Sequence, residues 1–198
     1  MNARRIYALL ASGIFLGISA FLFSNFLAYH EVKVDASGIF FEDVVMDLFP
    51  IADVSVFIFG ITYGSIVLYA ILQYNKPLFA TKLMVTYGIL LLTRVATLTL
   101  LPLKEPDTLV YLSDPFLNNL IYPGDIDADL FFSGHAGLLF SLFFLSRKWV
   151  FAILGVILSI LLMVQRVHYS IDVVAAVPFA YIIVRSAEFI TSRRKNTY

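Results

Sequence analysis

The chain has 198 residues, of which 60% are hydrophobic and only 14% are charged. This composition excludes an ordinary soluble globular domain, in which about a quarter of the residues are charged. The 14 lysines and arginines balance the 14 aspartates and glutamates, so the net charge by itself indicates no partner. The sequence contains no cysteine, which excludes disulfide bonds, thiolate metal ligands and cysteine nucleophiles.

Six apolar runs follow one another along the chain, and we interpret each as a membrane-spanning helix. They cover residues 6–29, 54–73, 78–101, 134–145, 149–164 and 171–190. No linker or internal repeat divides them. We therefore predict an all-α, polytopic membrane protein, a six-transmembrane-helix bundle that forms a single membrane domain over residues 1–198.

Two of these runs need comment. The fourth is short for a full crossing, so we expect its helix to begin further back, near Asp129 or Leu130, with the preceding segment at the membrane interface. The first run follows Arg4 and Arg5 and is longer than the apolar part of a signal peptide. We therefore expect the first run to be a retained span.

The basic residues are distributed unevenly between the two ends of the six predicted helices. With six spans both termini lie on one side, and 10 of the 14 basic residues fall there: Arg4, Arg5, Lys76, Lys82, Arg147, Lys148, Arg185, Arg193, Arg194 and Lys195. The positive-inside rule makes that side cytoplasmic. All the acids except Glu188 fall on the opposite side. We therefore expect the polar apparatus on the extracytoplasmic face, in loops around residues 30–53, 102–133 and 165–171.

Arg94 lies inside the third apolar run, where an ionisable side chain costs about 2.5 to 3.5 kcal/mol and needs a partner or a task. One interpretation is an arginine that snorkels or pairs with a buried acid. The other is a guanidinium that holds an anion in a water-filled cavity. The sequence favours neither.

Histidines occur at the starts of the fourth and sixth runs. Ser133, Gly134 and His135 suit a capped helix start whose free N–H groups bind an anion, although such a triplet is more often only a cap followed by a histidine. His168 and Asp172 are four residues apart and share one helix face. The carboxylate could accept the Nδ1–H and leave Nε2 to attack or take a proton. A structural pair or a metal site is the alternative.

These residues complement one another chemically. Arg94 and Arg166 would bind the charged oxygens of a phosphate, to which the helix start adds N–H donors. One histidine would serve as nucleophile and the other as the acid that protonates a departing oxygen. Phosphoryl chemistry uses all of these groups.

Two motifs resemble those of a known enzyme superfamily. Residues 129–135 read DLFFSGH and are similar to a G-D-x-x-F-S-G-H motif, and residues 166–173 read RVHYSIDV and are similar to R-x-H-Y-[ST]-x-D-V. Both belong to the lipid phosphatase and phosphotransferase superfamily of type 2 phosphatidic acid phosphatases. The chain most closely resembles its sphingomyelin synthase-like branch, over residues 48–180 approximately.

The resemblance implies a role for each matching residue. His168 would form a phosphohistidine, Asp172 would orient it, and His135 would protonate the leaving group. The substrate phosphate would be held by Arg94, Arg166, Ser133 and Gly134. Further candidates are Asp129 and Lys104, Thr97 in a segment similar to R-x-x-T…L-P, and Asp53 in a segment similar to P-L-P-D.

We therefore expect a membrane lipid phosphotransferase that acts on a phospholipid headgroup at the extracytoplasmic face, with ceramide or diacylglycerol as the acceptor. We expect no metal ion, no other cofactor and no nucleic acid. A lipid phosphate phosphatase results if water is the acceptor. A non-catalytic lipid or anion transporter is the second alternative.

Two G-x-x-x-G spacings, Gly13 with Gly17 and Gly60 with Gly64, could mark a dimer face. Inside a six-helix domain, such spacings more often allow neighbouring helices of one chain to pack closely. The second interpretation is the one we expect here, and the oligomeric state stays open.

Overall fold

A computed structural model of the protein describes residues 3–112 and 129–193, and its regular structure there is helical apart from one isolated bridge. The α-helices are α1 (Ala3–Ser37), α2 (Ser55–Gln73), α3 (Phe79–Leu100), α4 (Gly134–Ser146), α5 (Trp149–Val164) and α6 (Ser170–Arg193), with a short 3-10 helix, Met46–Leu48, between α1 and α2. The predicted all-α fold is confirmed. Of the residues used to orient the chain, Asp114, Asp125, Asp127, Arg194 and Lys195 lie outside the described ranges.

Four helices are long and apolar enough to span a membrane, which is compatible with an integral membrane protein. They are α1 over Ala3–Val34, α2, α3 and α6 over Ser170–Ser192. The other two, α4 and α5, have 13 and 16 residues. At 1.5 Å per residue they measure about 20 and 24 Å, less than the roughly 30 Å of a hydrocarbon core. The helices lie where the six runs predict them, and four of the six have the length of a span.

The first helix is longer than its apolar run. Residues 30–37, which were expected in a loop, continue α1, because no glycine or proline occurs in them before Gly38. The chain then pairs with the segment after α3: Ile39 N donates to Pro102 O (2.8 Å) and Lys104 N donates to Ile39 O (2.9 Å). This pairing joins the end of α1 to the end of α3.

The centre of the bundle is α4, which contacts α2, α3, α5 and α6. Residues 136–142 are all buried, as expected for a helix that is apolar all round. The predicted start of α4 near Asp129 is wrong, since the helix begins at Gly134. The carbonyl oxygens of residues 129, 131 and 132 accept hydrogen bonds from side chains of α3 and so are not the first acceptors of α4.

The role expected for the G-x-x-x-G spacings is also wrong. Gly13, Gly17, Gly60 and Gly64 have no heavy atom within 4 Å of the position that a Cβ would occupy. Close packing between α1 and α3 instead occurs at Gly88, where a Cβ would lie 2.5 Å from Phe15 Cε1. The four glycines therefore do not mediate helix packing within the described part of the chain.

Candidate functional site

His168 and Asp172 come together at the start of α6. His168 Nδ1 lies 3.4 Å from Asp172 Oδ2, and both side chains are buried. The same Oδ2 accepts a hydrogen bond from Tyr169 N (2.9 Å), which fixes the carboxylate. Asp172 Oδ1 and His168 Nδ1 are buried and make no hydrogen bond in the described structure. The pair is held in place and keeps unused hydrogen-bonding capacity.

A backbone hydrogen bond joins the starts of α4 and α6. Ser133 N donates to Asp172 O over 3.2 Å. Ser133 is fully buried, and its Oγ caps α4 by accepting from Ala136 N (3.4 Å). His135 lies in the first turn of α4, partly exposed, with its ring edge-on to Phe59 of α2 at 5.7 Å between centroids. The fold therefore brings the two sequence motifs to the same end of the bundle.

Arg94 is buried on α3, and its guanidinium binds the segment that precedes α4. Nε donates to Phe132 O (2.9 Å), Nη1 donates to Asp129 Oδ2 (2.9 Å), and Nη2 donates to Asp129 O (3.0 Å). Nη2 also lies 2.6 Å from Asp129 Oδ1. Of the two interpretations of Arg94, this geometry matches pairing with an acid. Its contact with a phosphate stays a prediction.

The first residue of α4 packs directly against this guanidinium. A Cβ at Gly134 would lie 2.5 Å from Arg94 Nη1 and 3.1 Å from Arg94 Cζ. One turn further along α3, Thr97 Oγ1 donates to Phe131 O (3.1 Å). Arg94 and Thr97 thus fix the chain from Asp129 to Gly134, and with it the position of His135.

Arg166 lies in the turn between α5 and α6, in the left-handed backbone conformation with φ of 61°. Its buried side chain reaches the segment between α1 and α2, where Nη1 donates to Asp47 Oδ1 (2.8 Å) and Nη2 donates to Phe49 O (3.0 Å). Its Nε is buried and has no hydrogen-bond partner in the described structure. Arg166 therefore anchors a neighbouring segment and keeps one N–H donor unused.

Asp43 is a residue of this site that the sequence did not single out. Its carboxylate accepts hydrogen bonds from Ser170 N and from Ser170 Oγ (2.9 Å), so it caps α6 from 127 residues away. Oδ1 also accepts from Val45 N and Met46 N, both at 3.0 Å. Although burial raises the pKa of Asp43, these hydrogen bonds outweigh it and hold the pKa below its ordinary 3.8. Capping signals in the sequence concern the residue next to a helix, so they could not indicate Asp43.

Gln165 is the second residue that sequence reasoning missed. Its fully buried amide lies between α5, the start of α2 and the segment after α3. The amide nitrogen, which has two N–H donors, lies within hydrogen-bonding distance of Ser55 Oγ (3.0 Å) and, at 3.2 Å each, of Asp53 Oδ1, Val110 O and Tyr111 O. The amide oxygen accepts from Val54 N. A single glutamine at the end of an apolar run gives no sequence signal for such a set of partners.

The remaining candidates, Asp53 and Lys104, make contacts at helix ends. Asp53 caps α2, with Oδ1 accepting from Ser55 N (3.0 Å) and Ser55 Oγ (2.7 Å), and these hydrogen bonds lower the pKa of this exposed acid. The backbone oxygen of Lys104 accepts from Tyr169 Oη (2.9 Å), directly beside His168. Burial raises the pKa of Tyr169 to about 12, so its hydroxyl is a stable donor at neutral pH.

Within residues 3–112 and 129–193, no three His, Asp or Glu side chains form a group that could hold a metal ion. Comparison of the chain with protein-family models, with curated proteins and with solved structures gives no match. Its function is therefore inferred from the motifs and from the contacts around them.

Proposed function

We propose that this protein is a membrane lipid phosphotransferase that acts on a phospholipid headgroup through a phosphohistidine, as its resemblance to the sphingomyelin synthase-like enzymes implies. The observation that carries the proposal is the hydrogen bond from Ser133 N to Asp172 O. This bond joins the start of α4, which contains His135, to the start of α6, beside His168 and Asp172. A nucleophile, its orienting acid and a proton donor then share one end of the bundle.

In the first half-reaction, Nε2 of His168 attacks the phosphorus of the donor lipid. An N–P bond forms, the P–O bond to diacylglycerol breaks, and His135 gives a proton to the departing oxygen. Asp172 accepts the Nδ1–H and stabilises the positive charge that develops on the imidazole. Tyr169 N holds Asp172 Oδ2 in place, and the 3.4 Å between this oxygen and His168 Nδ1 shortens to a hydrogen bond as the charge develops.

In the second half-reaction, the hydroxyl of a ceramide or diacylglycerol gives its proton to His135 and attacks the phosphorus. The N–P bond breaks, His168 is restored, and a new phospholipid leaves. Water in place of the lipid hydroxyl gives a phosphatase. The same residues serve both outcomes, so the acceptor decides between them.

The phosphate oxygens need donors, and the site supplies several. The Nε–H of Arg166 is buried and has no partner among the described residues, and Gly134 begins α4, where the positive end of the helix dipole favours an anion. A direct contact with Arg94 requires a phosphate oxygen to replace one oxygen of Asp129, an exchange of one anion for another. In its present state, Arg94 supports the phosphate site by fixing the turn that contains Ser133 and Gly134.

The topology is part of the same proposal. We place six spans in the membrane, with both termini cytoplasmic and the site on the extracytoplasmic face, as the distribution of basic residues favours. The short α4 is surrounded by other helices, so its length need not match the thickness of the lipid.

The proposal is tested with purified protein in lipid vesicles that hold fluorescent ceramide or diacylglycerol and mixed phospholipid donors, with phosphatidic acid in parallel. We expect a new fluorescent phospholipid, and we expect none from His168→Ala or Asp172→Ala, each checked for an unchanged unfolding midpoint. Free phosphate from phosphatidic acid alone would identify the phosphatase. Full activity in the His168→Ala variant would refute the mechanism.

The transporter alternative is separated by a trapping experiment. Protein quenched in acid during turnover of phospholipid labelled in its headgroup should carry the label on histidine if the phosphotransferase mechanism holds. Movement of lipid or anion across the vesicle membrane without any labelled histidine would favour the transporter.

A further inference from the structure

The segment 39–51, between α1 and α2, exposes large apolar side chains in an unusual number for a connecting segment. We call these side chains the exposed set: Ile39, Phe40, Val44, Val45, Leu48 and Ile51, which are between 50% and 79% exposed. Loops that face water are ordinarily polar, and an apolar patch of this kind marks an interaction surface.

Two acidic side chains of the same segment bind residues at the start of α6 and in the turn before it. Asp43 is 5% exposed and binds Ser170, and Asp47 binds Arg166 beside the site. The segment thus presents its apolar side chains outward and makes its polar contacts with the start of α6. Glu42 and Asp47 are exposed beside the apolar side chains, and an element at a membrane surface combines such apolar residues with charged residues in the headgroup region.

The backbone N–H groups of one turn of the segment are also satisfied internally. Five consecutive N–H groups, from Val45 to Phe49, have acceptors within the segment: two donate to Asp43 Oδ1, and three donate to the carbonyl oxygens of Asp43, Val45 and Met46. Water makes such pairing unnecessary, whereas hydrocarbon makes it essential. The turn is therefore suited to a surrounding of lipid.

The position of the segment agrees with this. It joins α1 and α2, both of which are long and apolar enough to span a membrane, so it lies where these helices reach the membrane surface. Through Asp43 and Arg166 it is bonded to the turn that holds His168. The exposed set thus lies at the membrane surface on the same side as the site.

We infer that segment 39–51 is embedded in the lipid leaflet on the side of the site, with the exposed set in contact with acyl chains. In this position the segment lies between the surrounding lipid and the site. The substrate that reaches His168 is then a membrane lipid and not a water-soluble phosphate ester. The statement about the substrate rests on the proposed function, whereas the embedding of the segment does not.

Embedding is tested by tryptophan fluorescence. The single tryptophan, Trp149, is replaced by phenylalanine, and one new tryptophan is introduced as Leu48→Trp or, as the matched control in the same segment, as the exposed Glu42→Trp. The purified variants are placed in phosphatidylcholine vesicles with or without bromine on the acyl chains. Interfacial elements lie about 5 to 10 Å into the leaflet, so we expect brominated lipid to quench Leu48→Trp about twofold more than Glu42→Trp.

Iodide in the water should quench the two variants in the opposite order. Strong iodide quenching of Leu48→Trp without quenching by brominated lipid would overturn the inference and leave a protein partner as the occupant of this surface. A second copy of the chain as the occupant would shield the new tryptophan from both quenchers, with a dependence on protein concentration, and would likewise overturn the inference.

The statement about the substrate is tested by Leu48→Asp. We expect this variant to lose activity several-fold on a long-chain lipid in vesicles and to retain activity on a short-chain, water-soluble analogue. Equal losses on the two substrates would overturn it. If the quenching shows embedding while the wild-type protein has no His168-dependent activity, the proposed function fails and the embedding stands.

Discussion

Replacement of Gly134 by alanine should destabilise the protein through a clash with Arg94. The new Cβ would lie 2.5 Å from Arg94 Nη1, whereas an ordinary contact between non-bonded heavy atoms is about 3.5 to 4.0 Å. The guanidinium has no freedom to move aside, because it is buried and donates to Asp129 and Phe132. The clash therefore strains either the helix start or these hydrogen bonds.

The expected loss of stability in Gly134→Ala is the sum of three contributions. Overpacking of a buried position costs about 1 to 3 kcal/mol, and loss of one hydrogen bond to a charged group adds about 1.5 to 3 kcal/mol. Alanine has a higher helix propensity than glycine, which offsets this loss of stability by roughly 1 kcal/mol. We expect the free energy of unfolding to fall by about 2 to 5 kcal/mol in Gly134→Ala.

The assay is equilibrium unfolding in detergent micelles, followed by circular dichroism. Gly13→Ala is the matched control, because no heavy atom lies within 4 Å of its Cβ position, and it should be neutral or stabilising. In an Arg94→Ala background the clash is absent, so Gly134→Ala should cost little there. An equal cost in both backgrounds, or equal stability of Gly134→Ala and Gly13→Ala, would refute the reasoning.

Two further predictions concern the residues that the sequence did not indicate. Gln165→Leu should lower the free energy of unfolding by about 2 to 4 kcal/mol, since Val54 N loses its acceptor and the Oγ of buried Ser55 loses its donor. Gln73→Leu should be neutral or stabilising, because that side chain is also buried but its Nε2 has no partner in the described structure; equal unfolding midpoints for the two variants would contradict this. The folded-state pKa of Asp43 lies below 3.8, so its stabilising contribution is complete above that pH and is lost as the pH falls through the lower folded value. Unfolding measured between about pH 2 and pH 6 should therefore show a smaller acid-dependent loss of stability in Asp43→Asn than in the wild type, and identical slopes would contradict the role of this carboxylate.

The helices were largely predictable because each corresponds to an uninterrupted apolar run. The ends of α2, α3 and α5 agree with those runs within one residue. The start of α4 was not predictable, since it depends on Arg94 and Thr97 taking the carbonyl oxygens that the helix would otherwise use. The hydropathy of a segment contains no information about hydrogen bonds that the segment accepts from another helix.

The site was predictable where its residues are close in sequence. The four-residue spacing of His168 and Asp172 placed both on one helix face, and the fold brings them within 3.4 Å. The sequence left the role of Arg94 open, because its partner Asp129 is 35 residues away. Asp43 was missed for the same reason, since its partner on α6 is 127 residues distant.

Many of the bonds that assemble the site end on backbone oxygens. The donors belong to particular residues, but every amino acid supplies the same carbonyl acceptor. Side chains of α3 donate to the carbonyl oxygens of Asp129, Phe131 and Phe132. Ser133 N donates to the carbonyl oxygen of Asp172. The side chains of Arg166 and Tyr169 donate to the carbonyl oxygens of Phe49 and Lys104, respectively. Phe49, Phe131 and Phe132 make these bonds through their backbone oxygens, so their side chains can change during evolution while the frame of the site persists. The donors that bond to these three positions, on Arg94, Thr97 and Arg166, would then have no co-varying partner there.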